Sequence, residues 1–174
     1  KKAEAYLEYL GKHDVLTQLR NRAFYMEELN RLSRKGPWPL AVVAIDMNGL
    51  KAVNDEHGHA AGDAMLRRLG EVLSKAVDDP ACVARIGGDE FIVLLPATDE
   101  RGAQAMVERI VSLLELNNQF YPGHTIHLAM GHAVGQEGAS MEAVVHRADQ
   151  SMYADKLRFY EAKEHDRRSS SALS

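Results

Sequence analysis

Cysteine is nearly absent from this 174-residue chain, because Cys82 is its single thiol. A disulfide within the chain and a zinc site built from four cysteines are both excluded, and a reducing, cytoplasmic setting is expected. Long hydrophobic runs are also missing, since the longest, residues 40–45, is far below the roughly 18 residues that span a bilayer. We expect contact with a membrane only through parts of the protein outside this sequence.

An excess of positive charge is missing as well. Lysine and arginine number 21 against 25 aspartates and glutamates, which gives a formal net charge of −4. This balance argues against a broad basic face, so no nucleic-acid partner is expected. Aromatic residues are few, at 6%, and the chain lacks the aromatic pair with which a ferredoxin-like sheet binds RNA. A highly anionic small ligand would need local lysines or a divalent metal.

The chain does have the composition of a globular domain, with 45% hydrophobic and 26% charged residues. Its length suits one domain of roughly 150 residues with short extensions. We expect a linker or stalk helix over residues 1–12, one domain over 13–162, and a solvated, disordered tail over 163–174.

Hydrophobic periodicity predicts the order of helices and strands. Short apolar or alternating runs predict strands, and apolar residues three or four apart predict amphipathic helices. Strands are expected over residues 40–45, 82–86, 91–95 and 125–134, and helices over 21–35, 62–76, 99–116 and 140–156, with a loop and a short helical turn over 46–55. The order β-α-β-β-α-β, with flanking helices, predicts an α+β, ferredoxin-like fold with an antiparallel central sheet.

Acidic residues stand at the ends of two predicted strands. Asp46 follows the most buried strand, while Asp89 and Glu90 lie on a tight turn between two others. If those strands are neighbours, the carboxylates meet at one edge of the sheet, where their oxygens suit Mg²⁺. Taken singly, each of these residues also fits an ordinary strand end or turn.

Glycines beside these carboxylates favour close approach of a ligand to the backbone. Gly87 and Gly88 lie at the hairpin tip, although any tight hairpin would use them. The loop at 48–51 offers exposed amides and Lys51, a combination that fits an anion nest, and no Walker motif occurs.

Asn54 and Asp63 form a second polar pair, on either side of two histidines. A carboxylate can accept two hydrogen bonds from the N1 and N2 edge of guanine, which adenine cannot supply, so Asp63 could select GTP over ATP. Without that context Asp63 fits a helix N-cap and Asn54 a turn. His57 and His59 lack a closed set of zinc ligands.

Four spaced motifs together resemble the GGDEF domain of bacterial diguanylate cyclases. The resemblance covers about residues 13–160, and four motifs in one order make it specific. The motifs are HDVLTQLRNR at 13–22, DMNGLKAVNDEHGHAAGD at 46–63, RIGGDEF at 85–91, and Ala148-Asp149 with Met152-Tyr153 and Lys156.

The resemblance implies a nucleotidyl-cyclase-type domain that condenses two GTP into cyclic di-GMP and releases two pyrophosphates. Mg²⁺, or Mn²⁺, is the implied cofactor. Each half-site would hold one GTP, so catalysis needs a homodimer with facing half-sites. An upstream sensor domain is expected in such a protein, and a downstream EAL domain is possible.

The resemblance also implies roles for individual residues. Asp46 and Asp89 would ligate the metal with the Met47 carbonyl, and Glu90 would assist the metal or the attacking 3′-hydroxyl. The implied substrate contacts are Asn54 and Asp63 to guanine, His59 lining the pocket, Lys51 near the transferring phosphate, Lys156 as a phosphate clamp, and Gly49, Leu50, Gly87 and Gly88 along the backbone.

Three parts of the sequence depart from the family pattern. Residues 78–81 read Asp-Asp-Pro-Ala where many members carry an inhibitory Arg-x-x-Asp motif, so product inhibition through that site is not expected. Tyr160 stands where an arginine often follows Lys156, which predicts weaker phosphate binding unless Arg158 or the tail arginines substitute. Residues 48–50 read Asn-Gly-Leu in place of a commoner Asp-x-Phe, a change that keeps the backbone amides.

A second function stays open. A catalytically silent GGDEF domain could bind GTP or a protein partner and regulate a larger signalling protein. The acidic turn, which degenerate relatives usually lose, is complete here at Gly87, Gly88, Asp89 and Glu90, and this favours the enzyme.

Overall fold

The computed structural model describes residues 1–173. Eleven elements follow one another within these described residues. They are α1 (Lys2–Lys12), α2 (Arg22–Lys35), β1 (Leu40–Asn48), α3 (Leu50–His57), α4 (His59–Ala76), a 3-10 turn (Pro80–Cys82), β2 (Val83–Arg85), β3 (Glu90–Leu95), α5 (Glu100–Phe120), β4 (His127–Gly135) and α6 (Met141–Ala172).

The four strands form one antiparallel sheet in the order β2-β3-β1-β4. β1 lies in the middle, where Asp46 pairs with Glu90 of β3 and Asn48 pairs with His127 of β4. The predicted β-α-β-β-α-β order and the antiparallel ferredoxin-like sheet are confirmed. The end of β1 is therefore flanked by the start of β3 on one side and the start of β4 on the other.

Helices cover both faces of β1, which explains its uninterrupted apolar sequence. On one face Val43, Ile45 and Met47 belong to a core shared with α4 and α5. On the other face Val42 and Ala44 belong to a core shared with α2 and α6. Successive side chains of a strand point to opposite faces, so Asp46 and Asn48 lie on the α6 side.

Two predictions for the polar segments need correction. Of the loop and short helical turn expected at 46–55, the helical turn is present as the two-turn helix α3, but the loop is limited to a turn at Gly49 with φ 76°, because β1 continues to Asn48. The prediction of a disordered tail over 163–174 is wrong as far as Ala172, because α6 continues to that residue. The side chains from 161 to 173 are all exposed. Pairs one turn apart support this exposed part, as where Arg168 donates to Glu164 at 2.7 Å.

The helix expected over residues 1–12 is present as α1, which has no buried residue. Asn21 joins α1 to the domain by donating its side-chain amide to Leu10 O at 3.3 Å. Within residues 1–173 no helix has both the length and the apolar character needed to cross a membrane.

Candidate active site at the end of the central strand

Asp46 and Asp89 come together where β1 ends and β3 begins. The Met47 amide donates to the Asp89 carbonyl at 3.0 Å, which fixes the hairpin against β1. The Asp89 carboxylate is close enough to Asp46 for its negative charge to help raise the pKa of Asp46. Asp46 and Asp89, which are 43 positions apart in sequence, thus lie at the same end of the sheet.

Asp46 is the most closely enclosed of these groups, with 5% of its surface exposed. Its Oδ2 accepts from Lys156 Nζ at 2.5 Å, whereas its Oδ1 is buried without a partner. Burial and the neighbouring Asp89 raise the pKa of Asp46 to about 6, although the Lys156 hydrogen bond lowers it. Burial lowers the pKa of Lys156, but the Asp46 carboxylate outweighs that effect and raises it overall.

The glycine hairpin is held in shape by Arg85. Its guanidinium donates to the Gly88 carbonyl at 2.8 and 3.1 Å and to the Asp14 carboxylate at 3.2 Å. Asp14 in turn accepts from the Thr17 amide and hydroxyl. Sequence reasoning missed this support, since Asp14 and Arg85 were parts of motifs without an assigned role, and their opposite charges were the only signal.

Glu90 is exposed at the first position of β3, and its carboxylate lies beside Gly87. Among residues 1–173 no group of three or more acidic, histidine or cysteine side chains is arranged to hold a metal. Glu90 therefore does not join Asp46 and Asp89 in a three-carboxylate cluster.

The second polar pair lies at the corner between α3 and α4, where Gly58 has φ 86°. Asn54 Oδ1 is buried without a hydrogen-bond partner and faces Gly62, where an added Cβ would lie only 1.8 Å away. Asp63 is half-buried one turn into α4, and His59 is exposed at its first position. Because α4 begins at His59, Asp63 is not an N-cap, and Asn54 lies in a helix rather than a turn.

The turn between β1 and α3 presents Gly49 in the left-handed conformation. Leu50 anchors this turn by packing against the core, while Lys51 is exposed. The Gly49 amide, expected to be free for an anion, donates to the Tyr160 hydroxyl at 3.2 Å. Sequence reasoning did not find this contact, although Tyr160 lies one helical turn after Lys156.

The donor set fits Mg²⁺ or Mn²⁺ better than zinc. Hard divalent cations take oxygen ligands, and Mg²⁺ usually uses one or two carboxylates together with substrate phosphates. Asp46 and Asp89 supply the carboxylates, and Asp46 Oδ1 is a buried acceptor that lacks a partner. The Met47 carbonyl lies in the same strand segment.

The fold and the site define an α+β, ferredoxin-like domain with an acidic, glycine-bordered site at one end of its sheet. A family model described as "Diguanylate cyclase, GGDEF domain" matches residues 11–161. Since this match covers most of the sequence, the chain belongs to the GGDEF family.

Individual relatives are also similar to this chain. An uncharacterized signaling protein of Caulobacter vibrioides is 38% identical over 163 residues, which cover 88% of this chain and 20% of that protein. Diguanylate cyclase TpbB of Pseudomonas aeruginosa is 36% identical over 159 residues, which cover 87% of this chain and 37% of that enzyme. This chain thus spans well under half the length of either relative.

A solved structure matches the fold closely. The coiled coil and GGDEF domain of DgcB from Caulobacter crescentus, in complex with c-di-GMP, has a TM-score of 0.79 and 25% sequence identity. The match covers 90% of this chain and 86% of that one.

Proposed function

We propose that this domain is a diguanylate cyclase that condenses two GTP into cyclic di-GMP and releases two pyrophosphates. The observation that carries the proposal is the meeting of Asp46 and Asp89 at the glycine hairpin, with Asp46 Oδ1 unpartnered. The names of relatives such as TpbB, and the c-di-GMP bound to DgcB, support the same substrate class.

Asp46, Asp89 and the Met47 carbonyl would hold Mg²⁺ or Mn²⁺. When bound, such a cation neutralises charge on the phosphate oxygens and on the leaving pyrophosphate. Lys51 and Lys156 add positive charge at the phosphates, and Glu90 assists deprotonation of the 3′-hydroxyl. The backbone at Gly49, Leu50, Gly87 and Gly88 lets the phosphates approach closely.

Asn54 and Asp63 bind guanine in this proposal, with His59 lining the pocket. The unpartnered, buried Oδ1 of Asn54 supports the assignment, because a buried acceptor is stabilised by a donor such as a purine N–H. Asp63 accepts from the N1 and N2 edge, which distinguishes guanine from adenine.

One half-site binds one GTP, so two copies of the domain face each other during catalysis. The unit 13–162 acts within a larger cytoplasmic signalling protein that has a sensor domain and, in some arrangements, an EAL domain. Feedback through an Arg-x-x-Asp site is absent in this proposal. The corresponding segment is acidic, and Asp79 caps the 3-10 turn by accepting from the Ala81 amide at 3.0 Å.

The test is incubation of the protein at high concentration with Mg²⁺ and GTP, followed by chromatography for cyclic di-GMP and pyrophosphate. We expect both products, with a specific activity that rises with protein concentration as dimers form. Asp89→Asn should abolish turnover, and Asp55→Asn, an exposed carboxylate on α3, is the matched control. Normal product formation by Asp89→Asn would remove Asp89 from the site.

A catalytically silent domain that binds GTP is the second candidate. Two features favour this candidate. Lys156 is engaged by Asp46, and Tyr160 stands where an arginine is common, so both reduce the positive charge available to bind phosphate. Nucleotide binding without product, even when two copies are fused to a dimerising segment, would select this alternative.

A further inference from the structure

α6 places two side chains, one helical turn apart, against the end of β1 and the Gly49 turn, where the phosphates are proposed to bind. Lys156 Nζ lies 2.5 Å from Asp46 Oδ2, and the Tyr160 hydroxyl lies 3.2 Å from the Gly49 amide nitrogen. Lys156 is half-buried and Tyr160 is 41% exposed. The two contacts together tie α6 to the end of β1 and to the turn that follows it.

Each of these two side chains occupies a place where part of the ligand is proposed to bind. Lys156 lies where a cation would bind, and the Tyr160 oxygen lies where a phosphate oxygen would bind. The Lys156 ammonium offers a positive charge to the carboxylate that would hold a cation. The Tyr160 oxygen accepts the amide hydrogen bond that a phosphate oxygen would accept. Lys156 and Tyr160 thus contact the carboxylate and the amide that the proposed cation and phosphate would use.

The chemistry of Tyr160 differs from that of an arginine at the same place. A phenol oxygen can accept from an N–H, whereas a guanidinium has five donors and no acceptor. An arginine here would leave the Gly49 amide free and add a charge for phosphate. Tyrosine instead occupies the amide and adds no charge.

We propose that Tyr160 is a positioning residue that holds the Gly49 turn in the ligand-free protein and competes with the triphosphate for the Gly49 amide. The inference rests on the proposed function, since it takes a guanosine triphosphate as the competing ligand. A charged phosphate oxygen is the stronger acceptor, so the nucleotide displaces the hydroxyl, but with reduced affinity.

Tyr160→Phe tests the competition, because it keeps the ring and removes only the hydroxyl. Calorimetry with a non-hydrolysable GTP analogue and Mg²⁺ should give a dissociation constant roughly two- to ten-fold lower than that of the unaltered chain, the range expected for one neutral hydrogen bond. Tyr153→Phe, an exposed tyrosine on the same helix, should leave the constant unchanged. Equal or weaker binding by Tyr160→Phe would overturn the inference.

A second measurement needs no nucleotide. The Gly49 amide resonance in the ¹H–¹⁵N spectrum of the ligand-free protein should shift in Tyr160→Phe and stay in place in Tyr153→Phe. An unmoved Gly49 resonance would refute the contact itself. If the resonance shifts but no variant binds the analogue, the proposed function fails and the competition fails with it, while the contact between Tyr160 and Gly49 stands.

Discussion

Asp46 combines burial, a like-charged neighbour and a cationic partner in a single side chain. Burial and Asp89 raise its pKa, Lys156 lowers it, and the net value is about 6 against an ordinary 3.8. An aspartate with a higher pKa in the folded state binds its proton more tightly when folded. The stability that Asp46 contributes is therefore fully present when the pH is below the pKa of this residue in the unfolded chain. It is lost as the pH rises through the folded-state pKa of about 6.

Asp46→Asn should remove this loss. We expect the free energy of unfolding of Asp46→Asn, minus that of the unaltered protein, to grow by roughly 2 kcal/mol as the pH rises from about 4 to 7. Urea denaturation of the metal-free proteins across this range measures the difference.

Lys156→Met provides the control for that experiment. Removing the ammonium leaves burial and Asp89 to act alone on Asp46, so the loss of stability should move to higher pH. Parallel stability curves for Asp46→Asn and the unaltered protein would contradict the raised pKa.

At the scale of the elements, β4 and α6 approach each other through a glycine. A Cβ added at Gly131 would lie 2.1 Å from the Met152 amide nitrogen and 2.5 Å from the Ala148 carbonyl oxygen. Strand and helix backbones therefore touch without a side chain between them. Lys156 lies one helical turn beyond this contact, so its reach to Asp46 depends on the spacing that Gly131 allows.

Gly131→Ala should destabilise the domain by about 1–3 kcal/mol, because the added methyl group would clash with helix backbone that cannot move aside. Gly11→Ala, in the exposed helix α1 with nothing within 4 Å, is the matched control and should cost nothing. Chemical denaturation of both variants gives the comparison. A Gly131→Ala variant as stable as its parent would show that α6 does not rest on β4 in solution.

The order of the helices and strands could be predicted from sequence because burial of one or both faces sets the spacing of hydrophobic residues along each element. Residues 40–45 are apolar throughout since both faces of β1 are covered, and that pattern is local. The contact at Gly131 and the hydrogen bond from Gly49 to Tyr160 are not local, because each joins groups whose meeting depends on the completed fold. The carboxylate pair was predictable because strand ends fix where Asp46 and Asp89 stand.

At the scale of the whole molecule, α6 has two parts with different surroundings. Its first half buries Met141, Val144, Ala148 and Met152 against the sheet. Beyond Tyr160 its side chains are exposed, so that part gains stability mainly from its own turns. The domain 13–162 should therefore fold without the last part of α6.

Ending the chain after Lys163 should leave the midpoint of thermal unfolding within about 2 °C of the original. Ending it after Tyr153 removes Lys156, Phe159 and Tyr160 and should lower the midpoint by more than that. Calorimetry or circular dichroism of the two shortened chains measures the difference. A large loss on ending after Lys163 would mean that the distal helix packs on the domain.

The backbone contact at Gly131 also restricts how α6 can move relative to the sheet. Because Met152 and Ala148 already touch β4, the sheet acts as a fixed spacer beneath α6. If a ligand displaces the contacts of Lys156 and Tyr160, we expect these side chains to rotate about their own bonds while the helix axis stays in place. Rotamer changes of exposed side chains take picoseconds to nanoseconds, so we expect these rotations to be fast and to need no movement of the helix.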